Sequence, residues 1–295
     1  MGYKALLILE KILMALPKKA RKKFFLFLAW LGYIFVKKYR TIAMQNLDFL
    51  FLDTMRLEEK KKIVRYSFDN LALNFLHLLE MHRYSLEDLQ AKVSKVENHH
   101  YVTEAHADGK AVVYVSAHYA SWELGNTSLG GLSEPIIGVY KQLKNREYEK
   151  WLIERRELFG NVAMEKTNVV KRLIRNIKNG MACGILIDTN INVKEGIIVD
   201  FMGKSIRQTT VPAYLARKFN AAIIPANVSS EDGENYTLTF YKPIEVEHTE
   251  DIEADIQKAT QAQADWLADL LKKEPKHWFW LHRRFKGDYP EIYTK

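Results

Sequence analysis

Four times in this chain an acid follows a histidine by five positions: His82/Glu87, His99/Glu104, His118/Glu123 and His248/Glu253. A histidine oriented by a carboxylate is a general base near neutral pH, because the carboxylate fixes the ring tautomer and steadies the imidazolium that forms. Spacing alone does not choose among the four, since so loose a pattern recurs by chance. Context does. In AVVYVSAHYASWELGN (111–126) an apolar run ends at Ser116-Ala117, delivers His118, and is followed by a short polar turn and Trp122-Glu123. The other three pairs lie in charged stretches suited to solvated surface. Glu123 also has a plain reading, because an acid in a first helical turn is favoured by the helix dipole without any catalytic task.

No nucleophile stands beside His118, so the simplest task for such a base is to deprotonate a substrate hydroxyl. Attack of that hydroxyl on a thioester is acyl transfer, and the developing oxyanion then needs donors. Backbone N–H groups at a helix start, Lys141 or an arginine are the candidates. The single cysteine, Cys183, lies in the apolar run MACGILI and reads as a small buried hydrophobe. Zinc spacings, a Walker loop, GxGxxG and GxSxG are all missing from the sequence, so neither a metal nor a cofactor is expected.

The elements around His118 follow from hydrophobic pattern. Residues 111–115 read as a buried strand, and Ser121 stands where it can cap a helix over 121–129. Strands then alternate with helices. Strands are predicted over 136–140, 162–164, 182–187, 197–201, 221–228 and 236–246. Helices are predicted over 145–159, 169–178 and 212–220, with a long closing helix over 252–273. Residues 41–106 read as helices. This alternation implies an α/β fold with a mainly parallel sheet and helices on both faces. His118, Lys141 and Asp188 all fall at strand ends and so are placed to gather along one sheet edge, where open α/β sheets bind ligands.

Of 295 residues, 47% are hydrophobic, ample for one domain core. The net charge of +8 is unevenly placed: residues 1–40 hold ten Lys/Arg and one acid, leaving the remaining 255 residues at −1. The basic balance thus belongs to an N-terminal arm, which argues against nucleic acid as a partner. Within the arm, FFLFLAWLGYIFV (24–36) is uncharged but spans only ~20 Å as a helix, short of the ~20 residues that cross a bilayer. Its aromatics surround the helix instead of forming one stripe. With lysines on both sides, it reads as an interfacial helix or hairpin on an anionic membrane surface. The expected organisation is this arm over 1–40 and one α/β domain over 41–295, with a helical lead-in (41–110), a sheet core (111–247) and a C-terminal helix and tail (248–295).

Six blocks in order resemble the lauroyl/myristoyl acyltransferases of lipid A biosynthesis in Gram-negative bacteria. They are RTIAMQNL (40–47), AHYASWELG (117–125), GVYK (138–141), WLIERRELFG (151–160), IDTN with GIIVDFMG (187–190 and 196–203), and the tail EPKHWFWLHRRFK (274–286). The resemblance implies a glycerolipid-acyltransferase-like αβα sandwich on the cytoplasmic face of the inner membrane. It implies transfer of a fatty acyl chain from acyl carrier protein to a hydroxyl of an anionic lipid A precursor. By position, His118 would be the base and Glu123 its partner. Trp122, Lys141, Asp188 and either Arg155 or Arg156 would contact substrate. Lys141 stands where the family usually has arginine, which keeps the charge but loses bidentate phosphate binding. A phospholipid or another glycolipid as acceptor is the alternative enzyme reading. A non-enzymatic lipid-binding protein with a structural His118 is a third.

Overall fold

The computed structural model describes residues 3–52, 54–167, 169–191 and 196–294. Its centre is a seven-stranded sheet made of β1 (Val93–Glu97), β2 (Val112–Ser116), β3 (Ile136–Tyr140), β4 (Val162–Glu165), β5 (Ala182–Leu186), β8 (Ala222–Ser229) and β9 (Tyr236–Phe240). In space they run β1-β9-β8-β2-β5-β3-β4, and every pairing is parallel except β8 with β9. A separate antiparallel hairpin joins β6 (Ile197–Phe201) to β7 (Lys204–Gln208).

Helices cover both faces. On one lie α7 (Trp122–Leu132), α8 (Arg146–Arg156) and α1 (Tyr3–Ala15), with parts of α4 (Leu57–Met81) and α2 (Lys18–Phe35), whose Ile63, Val64, Phe68 and Ala29 belong to the cluster of the other face. Their buried Leu124, Leu129, Trp151, Leu76, Leu6 and Phe25 pack in one cluster with Val112, Tyr114, Ile136, Ala182 and Ile224 of the sheet. On the other face lie α3 (Lys37–Phe51), α9 (Val169–Lys178), α10 (Val211–Phe219) and α11 (Ile252–Lys273). There Leu47, Leu173, Leu215 and Leu267 pack with Val113, Val115, Ile137, Cys183 and Ile185. Neighbouring residues of each strand serve opposite clusters. That is why the central strands read as unbroken apolar runs and not as an alternation.

Two expectations along the chain need correction. The helical lead-in is interrupted by β1, whose five residues include one fully buried side chain, Val93. An edge strand with so little apolar face leaves no period to read. The strand expected over 236–246 stops at Phe240. Pro243 lacks the N–H that a ladder needs, and beyond it only an isolated bridge joins Ile244 to Ile223.

The N-terminal segment folds as α1 and α2, broken at Pro17. Both dock on the body: Arg21 pairs with Glu80 at 2.9 Å and Glu10 with Arg155 at 2.6 Å, all four buried. Phe25 and Ala29 of α2 are buried, whereas Ile8, Ile12, Phe27, Leu28, Trp30, Ile34 and Phe35 are exposed. Among the described residues no helix is long and apolar enough to cross a membrane. The aromatic-basic tail is largely interior, with Trp278, Trp280, Arg284 and Phe285 buried.

Candidate active site

β2 and β5 are adjacent and parallel, with Ser116 opposite Leu186. The ladder continues one step further through Ile187 N–H donating to the Ser116 carbonyl. Two residues past each paired position stand His118 and Asp188, side by side at the C-terminal edge of the sheet. His118 Nδ1 meets Asp188 Oδ1 at 2.9 Å. Asp188 Oδ2 accepts from the His118 backbone N–H at 2.8 Å and from the Trp278 indole N–H at 2.9 Å. The carboxylate can only accept, so Nδ1 carries the proton and Nε2 is left as the basic nitrogen. Trp122 and Phe279 flank the ring, with centroids 5.5 and 6.1 Å away.

The expectation that Glu123 would be the carboxylate on His118 is therefore corrected. Glu123 lies in the first turn of α7 and is taken by Arg156, which donates Nη2 to Oε1 at 2.6 Å and Nε to Oε2 at 3.0 Å. Strand adjacency gives His118 its partner from 70 positions along the chain, a distance that local spacing does not report.

These contacts set the charges. Burial disfavours ionisation of Asp188, but the charge of His118 and hydrogen bonds from its ring, from Trp278 and from the His118 amide outweigh it, holding the carboxyl at about 2. Burial likewise presses against the imidazolium of His118, yet the charge and hydrogen bond of Asp188, with a smaller contribution from Glu123, raise its pKa above the ordinary value. Burial alone pushes the Cys183 thiol up to about 12, consistent with an inert core residue.

The turn from His118 into α7 is held in an unusual shape. Ala120 has φ +47°, a left-handed conformation that costs a non-glycine residue ~1–2 kcal/mol. Four contacts from three distant segments compensate. Asn74 Nδ2 donates to the Ala120 carbonyl at 2.9 Å, and Ala120 N–H donates to the His277 carbonyl at 2.8 Å. Ser121 N–H donates to the Val228 carbonyl at 3.0 Å, and Phe279 N–H to the His118 carbonyl at 2.9 Å. Ser121 is the first residue before α7 but its side chain caps nothing. Its hydroxyl is engaged with Tyr236 instead, and Asn74 Oδ1 accepts the Glu123 N–H that the cap would have taken.

His118 opens onto a cavity of about 160 Å³ between α7 and the sheet. Its floor is a row of residues in register across four strands: Tyr114, Gly184, Gly138 and Ala163. Side chains are nearly absent from three of these positions, and that absence makes the space. A Cβ on Gly184 would come within 2.8 Å of Ile136 Cδ1, and one on Gly138 within 3.0 Å of Asn126 Oδ1. Leu129, Ile136, Val139, Val228 and Leu238 supply apolar walls, and His118, Glu123 and Arg156 are the charged groups of the lining.

The structure thus sorts the expected site residues. His118, Trp122, Glu123 and Arg156 line the cavity, and Asp188 sits directly behind His118. Arg155 does not join them. It is buried over the Trp151 ring, 3.9 Å from its centroid, and neutralised by Glu10. Lys141 is exposed and lies outside the cavity lining. Asn74, Trp278 and the two floor glycines were given no site role from the sequence, although Gly138 lies in the GVYK block and Trp278 in the tail block. Only Trp278, within a dense aromatic tail, stood out by composition. Among the described residues no group of three or more His, Cys, Asp or Glu could hold a metal ion.

Comparison with known proteins decides the family. The profile of the bacterial lipid A biosynthesis acyltransferases matches residues 3–287. This chain belongs to that family. It is 25% identical over 258 residues to the lipid A biosynthesis lauroyltransferase of Escherichia coli strain K12, covering 85% of this chain and 80% of the relative. Over the same shares it is 26% identical to the lipid A biosynthesis palmitoleoyltransferase of that strain and to a lipid A biosynthesis acyltransferase of Shigella flexneri.

Proposed function

We propose that this protein transfers a fatty acyl chain from an acyl carrier protein thioester to a hydroxyl of an anionic lipid A precursor. The observation that carries this reading is a histidine–aspartate pair opening onto an apolar cavity floored by glycines. His118 Nε2 takes the proton of the acceptor hydroxyl as its oxygen attacks the thioester carbonyl carbon. The C–S bond then breaks, and the departing thiolate receives that proton from the imidazolium. Asp188 holds the ring tautomer and the charge that develops on it.

Arg156 is the cation for the oxyanion or for an acceptor phosphate. Its Nε and Nη2 are held by Glu123, and Nη1 has no hydrogen-bond partner among the described residues. Glu123 then acts by fixing Arg156 and by adding negative charge near His118. The cavity takes the acyl chain, which needs apolar walls and no polar partners. The exposed apolar residues of α1 and α2, with Lys18, Lys19, Lys23, Lys37 and Lys38 exposed beside them, rest on the cytoplasmic leaflet of the inner membrane.

The test compares wild type with His118→Ala, using acyl carrier protein thioesters and a lipid A precursor. Wild type should transfer, and the variant should lose ~10³-fold or more of the rate while keeping its membrane binding. Equal rates would remove His118 from the mechanism. Acylation of a phospholipid in place of the lipid A precursor would replace the acceptor.

A further inference from the structure

Outside the first 40 residues the chain is nearly neutral, yet that average conceals a strong local excess. Residues 141–178 contain eleven Lys/Arg and five Asp/Glu, a net +6. In the fold these cations run outward from the cavity. Tyr140 and Ala163 line it. Lys141 follows Tyr140 at the end of β3, and Lys166, whose N–H donates to the Tyr140 carbonyl, follows β4. Lys144 lies on the loop beyond β3. Lys171, Arg172 and Arg175 lie on α9, the helix after β4. All six are exposed, and none has an ion-pair partner among the described residues. By contrast Arg146, Arg155 and Arg156, in the same stretch, are all paired.

We propose that this surface docks the acyl donor's protein: a small acidic carrier whose thioester hangs on a flexible arm that enters the cavity beside Tyr140. The proposal rests on the acyl-transfer reading above. A run of unpaired cations is held against mutual repulsion for a partner of opposite charge, and such complementarity governs encounter and orientation. Its composition selects a soluble partner over the bilayer. Leu173 and Ile177 of α9 are buried against the sheet, and α9 exposes no large apolar side chain. The helices that do, α1 and α2, expose Ile8, Ile12, Phe27, Leu28, Trp30, Ile34 and Phe35. A bilayer takes up apolar side chains together with cations, so it is met by α1 and α2, while Lys171, Arg172 and Arg175 offer charge alone.

The experiment uses the full-length chain with Lys171→Glu/Arg172→Glu/Arg175→Glu, none of which touches the cavity, and a milder variant with glutamine at the same three positions. Two donors carry the same acyl chain, one on acyl carrier protein and one on uncharged pantetheine. Binding of the unacylated carrier protein is measured separately by fluorescence anisotropy, together with sedimentation on vesicles containing anionic phospholipid. The glutamate variant should raise KM for the carrier-borne donor ~10-fold or more with kcat unchanged, and leave the pantetheine donor unaffected. The glutamine variant should fall between it and wild type, and carrier binding should weaken in the same order. Equal effects on both donors, or undiminished carrier binding, would overturn the proposal. So would loss of vesicle binding with carrier binding intact, which would assign the patch to lipid. If wild type binds the carrier through these residues yet transfers no acyl group, the docking surface stands and the reading of the reaction fails.

Discussion

The face of the sheet under α9 and α10 and the face under α7 are made by the same strands. Under α9 and α10, β2, β5 and β3 present Val113, Val115, Cys183, Ile185 and Ile137, all buried and packed together. Under α7, the next residues along those strands include Tyr114, Gly184 and Gly138, and a cavity of about 160 Å³ remains. A one-residue step along a strand thus separates a filled core from a binding space. One face is spent on stability, and the other gives some up for room. Mutations should therefore divide by parity: those on the filled face should unfold the protein, and those on the open face should alter what it accepts.

The charged rim of the open face should give the largest effect. Asp188→Asn keeps the shape but removes the carboxylate that fixes the His118 tautomer, and should lower the rate ~10²–10⁴-fold with the fold intact. The pH–rate profile gives a second readout. Wild-type activity should rise with pH through a value above the ordinary histidine range, because Asp188 outweighs the effect of burial on that pKa and the base must be deprotonated. Asp188→Asn withdraws the main cause of the rise, so the acid limb of the variant should move to lower pH. An unmoved limb would break the assignment of Asp188 as the orienting group. Stability carries the same signature. The depressed pKa of Asp188 contributes stability above its unfolded value near 3.8, lost as pH falls towards about 2.

Next in size is the filled face. Ile137→Ala should cost ~2–5 kcal/mol of stability, since Ile137 is 1% exposed and surrounded by rigid sheet and helix. Urea melts would measure it, and the remaining folded enzyme should keep its donor preference. A changed preference would mean that the two faces are not independent.

How much of this was readable in the sequence depends on how far each partner lies along the chain. The strand before His118, the turn and the helix after it are contiguous, and their order was legible. So were the positions of Asp188 and Lys141 at strand ends, because apolar runs stop there. Pairing was not legible. That β5 lies between β2 and β3 puts Asp188 beside His118, and nothing within either segment encodes it. The same holds for Asn74, which shapes the turn from another helix, and for Gly138 and Gly184, which form a floor only once their strands are in register. The basic surface was hidden by summation, since a local +6 vanishes in a near-neutral total. Arg155 and Arg156 are adjacent in sequence but point to different partners, and only the packing of α8 tells them apart.

The smallest expected effect tests the open face most directly. Gly184→Ala adds one methyl to the cavity floor, and its Cβ would first meet Ile136 Cδ1, the far end of a flexible side chain, at 2.8 Å. That atom can shift, so stability should change by less than ~1.5 kcal/mol. The methyl and the displaced Ile136 both occupy cavity space, however. If the acyl chain lies along the floor, the variant should favour donors shorter by one or two carbons, with KM rising for the longest chain and staying unchanged for the shortest. Competition between two acyl donors in one tube reads this ratio free of errors in enzyme concentration. An unchanged ratio together with an unchanged melt would place the chain elsewhere, and would leave the missing side chains of Gly184 and Gly138 to be explained by how closely α7 packs on the sheet.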